Sequence, residues 1–155
     1  ATQLAPLGAV MGYGVPAAIA ASIEFPERIS IAFAGDGCFL MNAQEIATAK
    51  KYNASPIIIV LNNGIYGSIR MHQEREFPTR SIGTDLDNPD FVSYAEAFGI
   101  KGYRVSQTNE FEGVFETALK EEGPSLIELV VSEEAISPAF TLSELVEQSL
   151  KKKAN

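Results

Sequence analysis

The chain has 155 residues, 46% of them apolar and 21% charged, with a formal net charge of -8. This balance excludes a disordered chain, and the acidic surplus excludes nucleic acid as a partner, because that partner demands a basic face. The longest apolar run, Pro56 to Leu61, is far too short to cross a bilayer as a helix, so no membrane partner is expected.

One domain over 1–155 is the expected organisation. Val15 to Glu24 is Ala-rich and reads as a helix, with Pro16 tolerable in its first turn. Ile29 to Ala34 is a short continuous apolar run closed by Gly35, which predicts a buried strand. Asn42, with Glu45 three positions later, has the spacing of a capping box and predicts a helix to about Tyr52. Ile57 to Leu61, rich in β-branched residues and ended by Asn62-Asn63-Gly64, is the clearest strand. The stretch from Glu74 to Asn88 is polar and without periodicity, a long loop of the kind that serves as a lid about as often as a surface linker.

Asn88-Pro89-Asp90 opens a further helix that Gly99 ends, with Pro near the first helical position. A strand near Tyr103 to Val105 follows, then a helix from about Asn109 to Glu121, stopped by Gly123-Pro124. Leu126 to Val131 forms a last strand, and the terminal Lys151-Lys152-Lys153 run reads as a solvated helix end. Strands alternating with helices predict a doubly wound parallel sheet with helices on both faces. The single Cys38 allows no internal disulfide, and the first residues carry no basic stretch leading into an apolar run. A cytoplasmic enzyme is therefore expected.

In an open parallel sheet, ligands collect outside the carboxyl ends of the strands. Here Gly35-Asp36-Gly37 closes one strand and Asn62-Asn63 closes the next, with 24 residues between Gly37 and Asn62. A carboxylate and a carboxamide oxygen on sharp turns at one rim are hard ligands suited to Mg²⁺, which usually keeps phosphate oxygens and water in its shell. The flanking glycines let a backbone approach a ligand. Each piece alone is an ordinary turn signal; their placement on successive strand ends is what points to a site.

Gly35-Asp36-Gly37 followed at this interval by Asn62-Asn63 resembles the signature of thiamine diphosphate-dependent enzymes. Gly8 to Ala18 is similar to the segment before that signature in the acetolactate synthase-like and 2-oxo acid decarboxylase branch, and Asn62 to Glu76 to the segment after it. The resemblance implies that Asp36, the Asn63 side chain and the Ile65 carbonyl bind Mg²⁺, with two diphosphate oxygens and a water. It further implies that Gly35 and the N–H groups of Gly37 and Cys38 hold the diphosphate, while Asn62 only shapes the turn. Met11 would wedge between the two rings of the cofactor and bend it, with the Ala9 carbonyl and Met11 N–H gripping the pyrimidine edge. Cys38 stands where many relatives have Ser and reads as an inert thiol.

The same resemblance implies loss of CO₂ from a 2-oxo acid, with the product either protonated or joined to a second carbonyl compound. Pyruvate decarboxylases carry Glu where this chain has Ile69, and acetolactate synthases usually carry Trp where it has His72, so neither specific activity is supported. Ser68, Ile69 and His72 would line or edge the substrate pocket. The family's activating glutamate lies in a pyrimidine-binding domain, usually on another subunit, to which no segment here is similar. The chain therefore resembles the C-terminal part of a longer enzyme, a homodimer or homotetramer, and is expected to be inactive alone. A non-catalytic cofactor-binding or assembly module is the alternative. A flavodoxin-like nucleotide-binding domain is weakened by the absence of G-x-G-x-x-G and of a Walker loop.

Overall fold

The structure, a computed structural model, describes residues 2–8 and 10–154. In chain order it forms α1 (Gly14–Glu24), β1 (Ile31–Gly35), α2 (Asp36–Asn42), a 3₁₀ turn (Ala43–Glu45), α3 (Ile46–Lys51), β2 (Ile57–Asn62), α4 (Gly67–Glu76), α5 (Phe91–Ala97), β3 (Lys101–Val105), a 3₁₀ turn (Thr108–Glu110), α6 (Phe111–Ala118), β4 (Ser125–Val130) and α7 (Leu142–Ala154). These elements fall into two units, one of residues 2–62 and 88–130, the other of residues 63–87 and 131–154.

The first unit is a four-stranded sheet in the order β1-β2-β4-β3, every pairing parallel. Parallel neighbours need crossovers, and the helices between the strands cover both faces. On one face α1, α2, α3 and α5 enclose Ile58, Val60 and Leu126. On the other, α6 closes over Ile57, Ile59 and Ile127. Central β2 is buried on both sides, which is why its run of Ile57, Ile58, Ile59 and Val60 has no polar alternation. Burial of each such side chain stabilises the fold by about 1.5–3 kcal/mol. In α1 the buried positions Val15, Ala18, Ile19 and Ser22 recur at helical spacing and lay one stripe on the sheet. The doubly wound parallel sheet expected from the sequence is present.

Three local expectations are corrected. β1 begins at Ile31 rather than Ile29, and it is not buried throughout: it is an edge strand with alternating exposure, and Phe33 is 69% exposed. Asn42 is both the last residue of α2 and the cap position of the following 3₁₀ turn, which leads into α3 and its end at Lys51, close to the expected Tyr52; the capping box itself is absent. α2 starts directly at the strand end, with Gly35 extended (φ -64°, ψ 156°) and Asp36 in the first turn, where the helix dipole favours a carboxylate. Asn42 makes no capping bond; its Nδ2 donates to the Gly12 carbonyl at 3.0 Å. Pro89 lies just outside α5, because Asp90 is the cap and accepts from Ser93 N–H at 2.7 Å.

In the second unit the stretch expected as a loop is partly α4, which runs to Glu76. Ile65 and Asp85 form an isolated antiparallel bridge, and Arg70 reaches back to Thr84 and Asp85. The terminal lysines lie at the exposed end of α7, as their solvated-helix reading requires. No helix of the described residues is long and apolar enough to cross a membrane.

Candidate functional site

The carboxyl ends of β1 and β2 meet through one side chain. Asp36, the residue after β1, is only 2% exposed. Its Oδ1 accepts from the Gly37 N–H at 2.8 Å and its Oδ2 from Asn88 Nδ2 at 2.8 Å. The same Asn88 Nδ2 donates to Asn62 Oδ1 at 2.9 Å, and Asn62 is the last residue of β2. Asp36 and Asn62 therefore share one rim of the sheet, as the reading of the strand ends required.

Asn62, expected only to shape a turn, carries this contact further. Its Nδ2 donates to Glu128 Oε1 at 2.7 Å. Glu128 is 3% exposed within β4, and Arg104 Nε donates to its Oε2 at 2.8 Å. Arg104 Nη2 also donates to Asp90 Oδ2 at 2.8 Å. That ion pair and the Ser93 N–H hold the Asp90 carboxyl down at about 2, the backbone N–H being the larger cause. Burying Glu128 is tolerable only because both of its oxygens are hydrogen-bonded. Sequence reasoning passed over Asn88, Arg104 and Glu128. A lone acidic residue inside the apolar run Leu126 to Val131 was the available signal.

The Gly-rich segment is seated by a close approach. Gly12 has φ +86°, and a Cβ built there would lie 2.8 Å from Met41 Cβ and 2.7 Å from Asn42 Nδ2. Only glycine lets this turn rest against the end of α2. Met11, one residue earlier, is half-buried. Ala9 lies outside the described residues. Gly37 is buried, and Cys38 is half-buried against the core, which agrees with a packing role for its thiol.

In the second unit, Asn63 Oδ1 accepts from the Ile65 N–H at 3.2 Å, so Asn63 closes a tight turn over Gly64, whose φ is +71°. Ile65 is buried, and its segment is pinned by Tyr66 N–H to the Thr84 carbonyl and by Leu86 N–H to the Gly64 carbonyl, both at 2.8 Å. Ser68, Ile69 and His72 are exposed together along α4, at the spacing that sets side chains over one another. Among the described residues no group of three His, Cys, Asp or Glu side chains is gathered for a metal.

A doubly wound parallel sheet with a buried carboxylate and a carboxamide at its carboxyl rim defines a ligand-binding α/β domain. Residues 3–129 match the family model described as thiamine pyrophosphate enzyme, C-terminal TPP binding domain, and the chain belongs to that family. It is 35% identical over 144 residues to the acetolactate synthase isozyme 2 large subunit of Escherichia coli, covering 89% of this chain and 26% of that one. It is 36% identical over 123 residues to the mitochondrial acetolactate synthase of Schizosaccharomyces pombe, covering 79% and 18%. Among solved structures it resembles the thiamine diphosphate-dependent 4-hydroxybenzoylformate decarboxylase of Rhodococcus jostii RHA1, with TM-score 0.74 and 34% identity over 79% of this chain and 23% of that one. The chain thus spans about a quarter of the length of these relatives, or less. It is a C-terminal thiamine pyrophosphate-binding domain of that family.

Proposed function

We propose that this chain anchors the diphosphate of thiamine diphosphate through Mg²⁺, as part of a longer carboligase or decarboxylase that acts on a 2-oxo acid. The observation that carries the reading is the buried Asp36 carboxylate at the sheet rim, linked through Asn88 to the strand end that leads into Asn63.

The donor set fits the ion. Asp36 would give an anionic oxygen, Asn63 a carboxamide oxygen and Ile65 a backbone carbonyl, all hard ligands of the type Mg²⁺ takes. The N–H groups of Gly37 and Cys38, beside Gly35, would hold the diphosphate. For this Gly37 must release the Asp36 oxygen that it now holds. Met11 would set the bend of the cofactor, with Ala9 gripping the pyrimidine edge, and exposed Ser68, Ile69 and His72 would border the substrate.

When bound, the cofactor supplies a stabilised carbanion for removal of CO₂ from a 2-oxo acid. This chain holds and orients it; the acid that activates it belongs to a pyrimidine-binding domain, supplied in a homodimer or homotetramer in the cytoplasm. General acid–base assistance is worth about 10²- to 10⁴-fold. The isolated chain, supplied with Mg²⁺ and cofactor, should therefore give no turnover of pyruvate, oxaloacetate or benzoylformate above the free-cofactor background. Clear turnover would refute the half-site reading.

The metal reading is tested by Asp36→Ala in the full-length protein. Removing the only anionic protein ligand should abolish Mg²⁺-dependent cofactor binding in calorimetry. Unchanged affinity would take Asp36 out of the site.

A further inference from the structure

We propose that Asn88 is the positioning residue that aims the Asp36 carboxylate at its metal. This inference rests on the reading of Asp36 as a Mg²⁺ ligand.

The hydrogen-bond partners fix which way the two carboxamides face. Glu128 can only accept, so Asn62 must turn its Nδ2 toward it, and does so at 2.7 Å. That leaves Asn62 Oδ1 facing Asn88, which must present its own Nδ2. The same Nδ2 donates its second hydrogen to Asp36 Oδ2, at 2.8 Å. A flipped Asn88 would set its oxygen against two others. Both of its donors are thus committed, while its Oδ1 is buried and has no partner among the described residues. A carboxamide that leaves its acceptor unpaired is held in place for its donors.

Asn88 is itself fixed from two sides. Through Asn62 it is tied to Glu128, then to Arg104 and on to Asp90. Asp90 caps α5 only two residues beyond Asn88, with Pro89 restricting the backbone between them. The chain of bonds therefore closes on itself, and neither the backbone nor the carboxamide of Asn88 can turn independently. Asp36 is consequently held at Oδ2 by a rigid external donor, a grip that remains when Gly37 turns its N–H to the diphosphate. Mg²⁺ demands near-ideal octahedral geometry, so a carboxylate aimed in advance serves it more than it serves the adaptable Ca²⁺. Such outer partners are typically worth about 10- to 100-fold in metal affinity.

The test uses the full-length protein stripped of metal, with thiamine diphosphate binding followed by calorimetry at stepped Mg²⁺ or Ca²⁺ concentrations. Asn88→Ala should raise the Mg²⁺ concentration for half-maximal loading by about 10- to 100-fold, and the Ca²⁺ concentration by clearly less. A Mg²⁺ requirement within about twofold of the wild type, or an equal rise for both ions, would reduce Asn88 to a structural residue and overturn the proposal. Asp36→Ala measured alongside separates the two ideas. If it binds cofactor normally, the metal reading itself fails; if it loses binding while Asn88→Ala does not, only the positioning role fails. Should Asn88→Ala not fold, Asn88→Ser, small and still polar, is titrated in its place and judged by the same outcomes.

Discussion

Gly12→Ala places a methyl group where the structure has no room for one. At φ +86° an alanine is strained by about 1–2 kcal/mol. Its Cβ would also sit 2.8 Å from Met41 Cβ, an atom fixed to the α2 backbone that cannot swing aside, and overpacking of this kind costs about 1–3 kcal/mol. The two add to about 2–5 kcal/mol, a large part of the 5–15 kcal/mol by which domains are typically stable. The turn can escape by lifting away from α2, giving up the bond from Asn42 Nδ2 to the Gly12 carbonyl. Gly113→Ala is the matched control. Gly113 lies exposed in α6 with nothing within 4 Å of a new Cβ, so alanine there should stabilise by about 0.5–1 kcal/mol. Thermal melts, with hydrogen exchange of the segment from Met11 to Ala20, should show a lower midpoint and faster exchange for Gly12→Ala. Gly113→Ala should give neither. A Gly12→Ala protein that melts and exchanges like the wild type would refute the close approach.

Met11→Ala should lower kcat of the full-length enzyme more than it lowers cofactor affinity, because the diphosphate anchor remains while the ring geometry loosens. An unchanged kcat would leave Met11 a packing residue. Asp90 titrates at about 2 in the folded chain against an ordinary 3.8, so the unfolded chain binds more protons between those values. Its stabilisation is therefore present above pH 3.8 and is lost as the pH falls toward 2. Wild type should melt slightly above Asp90→Asn at pH 6, with the gap closing between about pH 4 and 2. A gap independent of pH would contradict the hold of the Ser93 N–H and Arg104 on the Asp90 carboxylate.

The sheet was legible because its central strand is buried on both faces and admits only apolar residues, as Ile57 to Val60 record. The edge strand was read with the wrong ends, since Ile29 and Phe33 are apolar yet exposed and carry no mark of that in the sequence. α4 went unrecognised because it buries a glutamate, Glu74, rather than an apolar stripe, so no period of 3.6 appears in it. Asp36 and the strand-end asparagines stood out through their spacing. Asn88 did not, because it acts on residues 52 and 26 positions away, and only the fold brings these together. Asn42 misled for a related reason: its carboxamide serves the distant Gly12 carbonyl instead of a local cap.

Crystals of the full-length protein grown with thiamine diphosphate and Mn²⁺ in place of Mg²⁺ would locate the ion by its anomalous signal. One peak is expected, in direct contact with an Asp36 carboxylate oxygen, the Asn63 side-chain oxygen, the Ile65 carbonyl and the diphosphate. A diphosphate bound with no ion at Asp36, or an ion held by other residues, would contradict this placement.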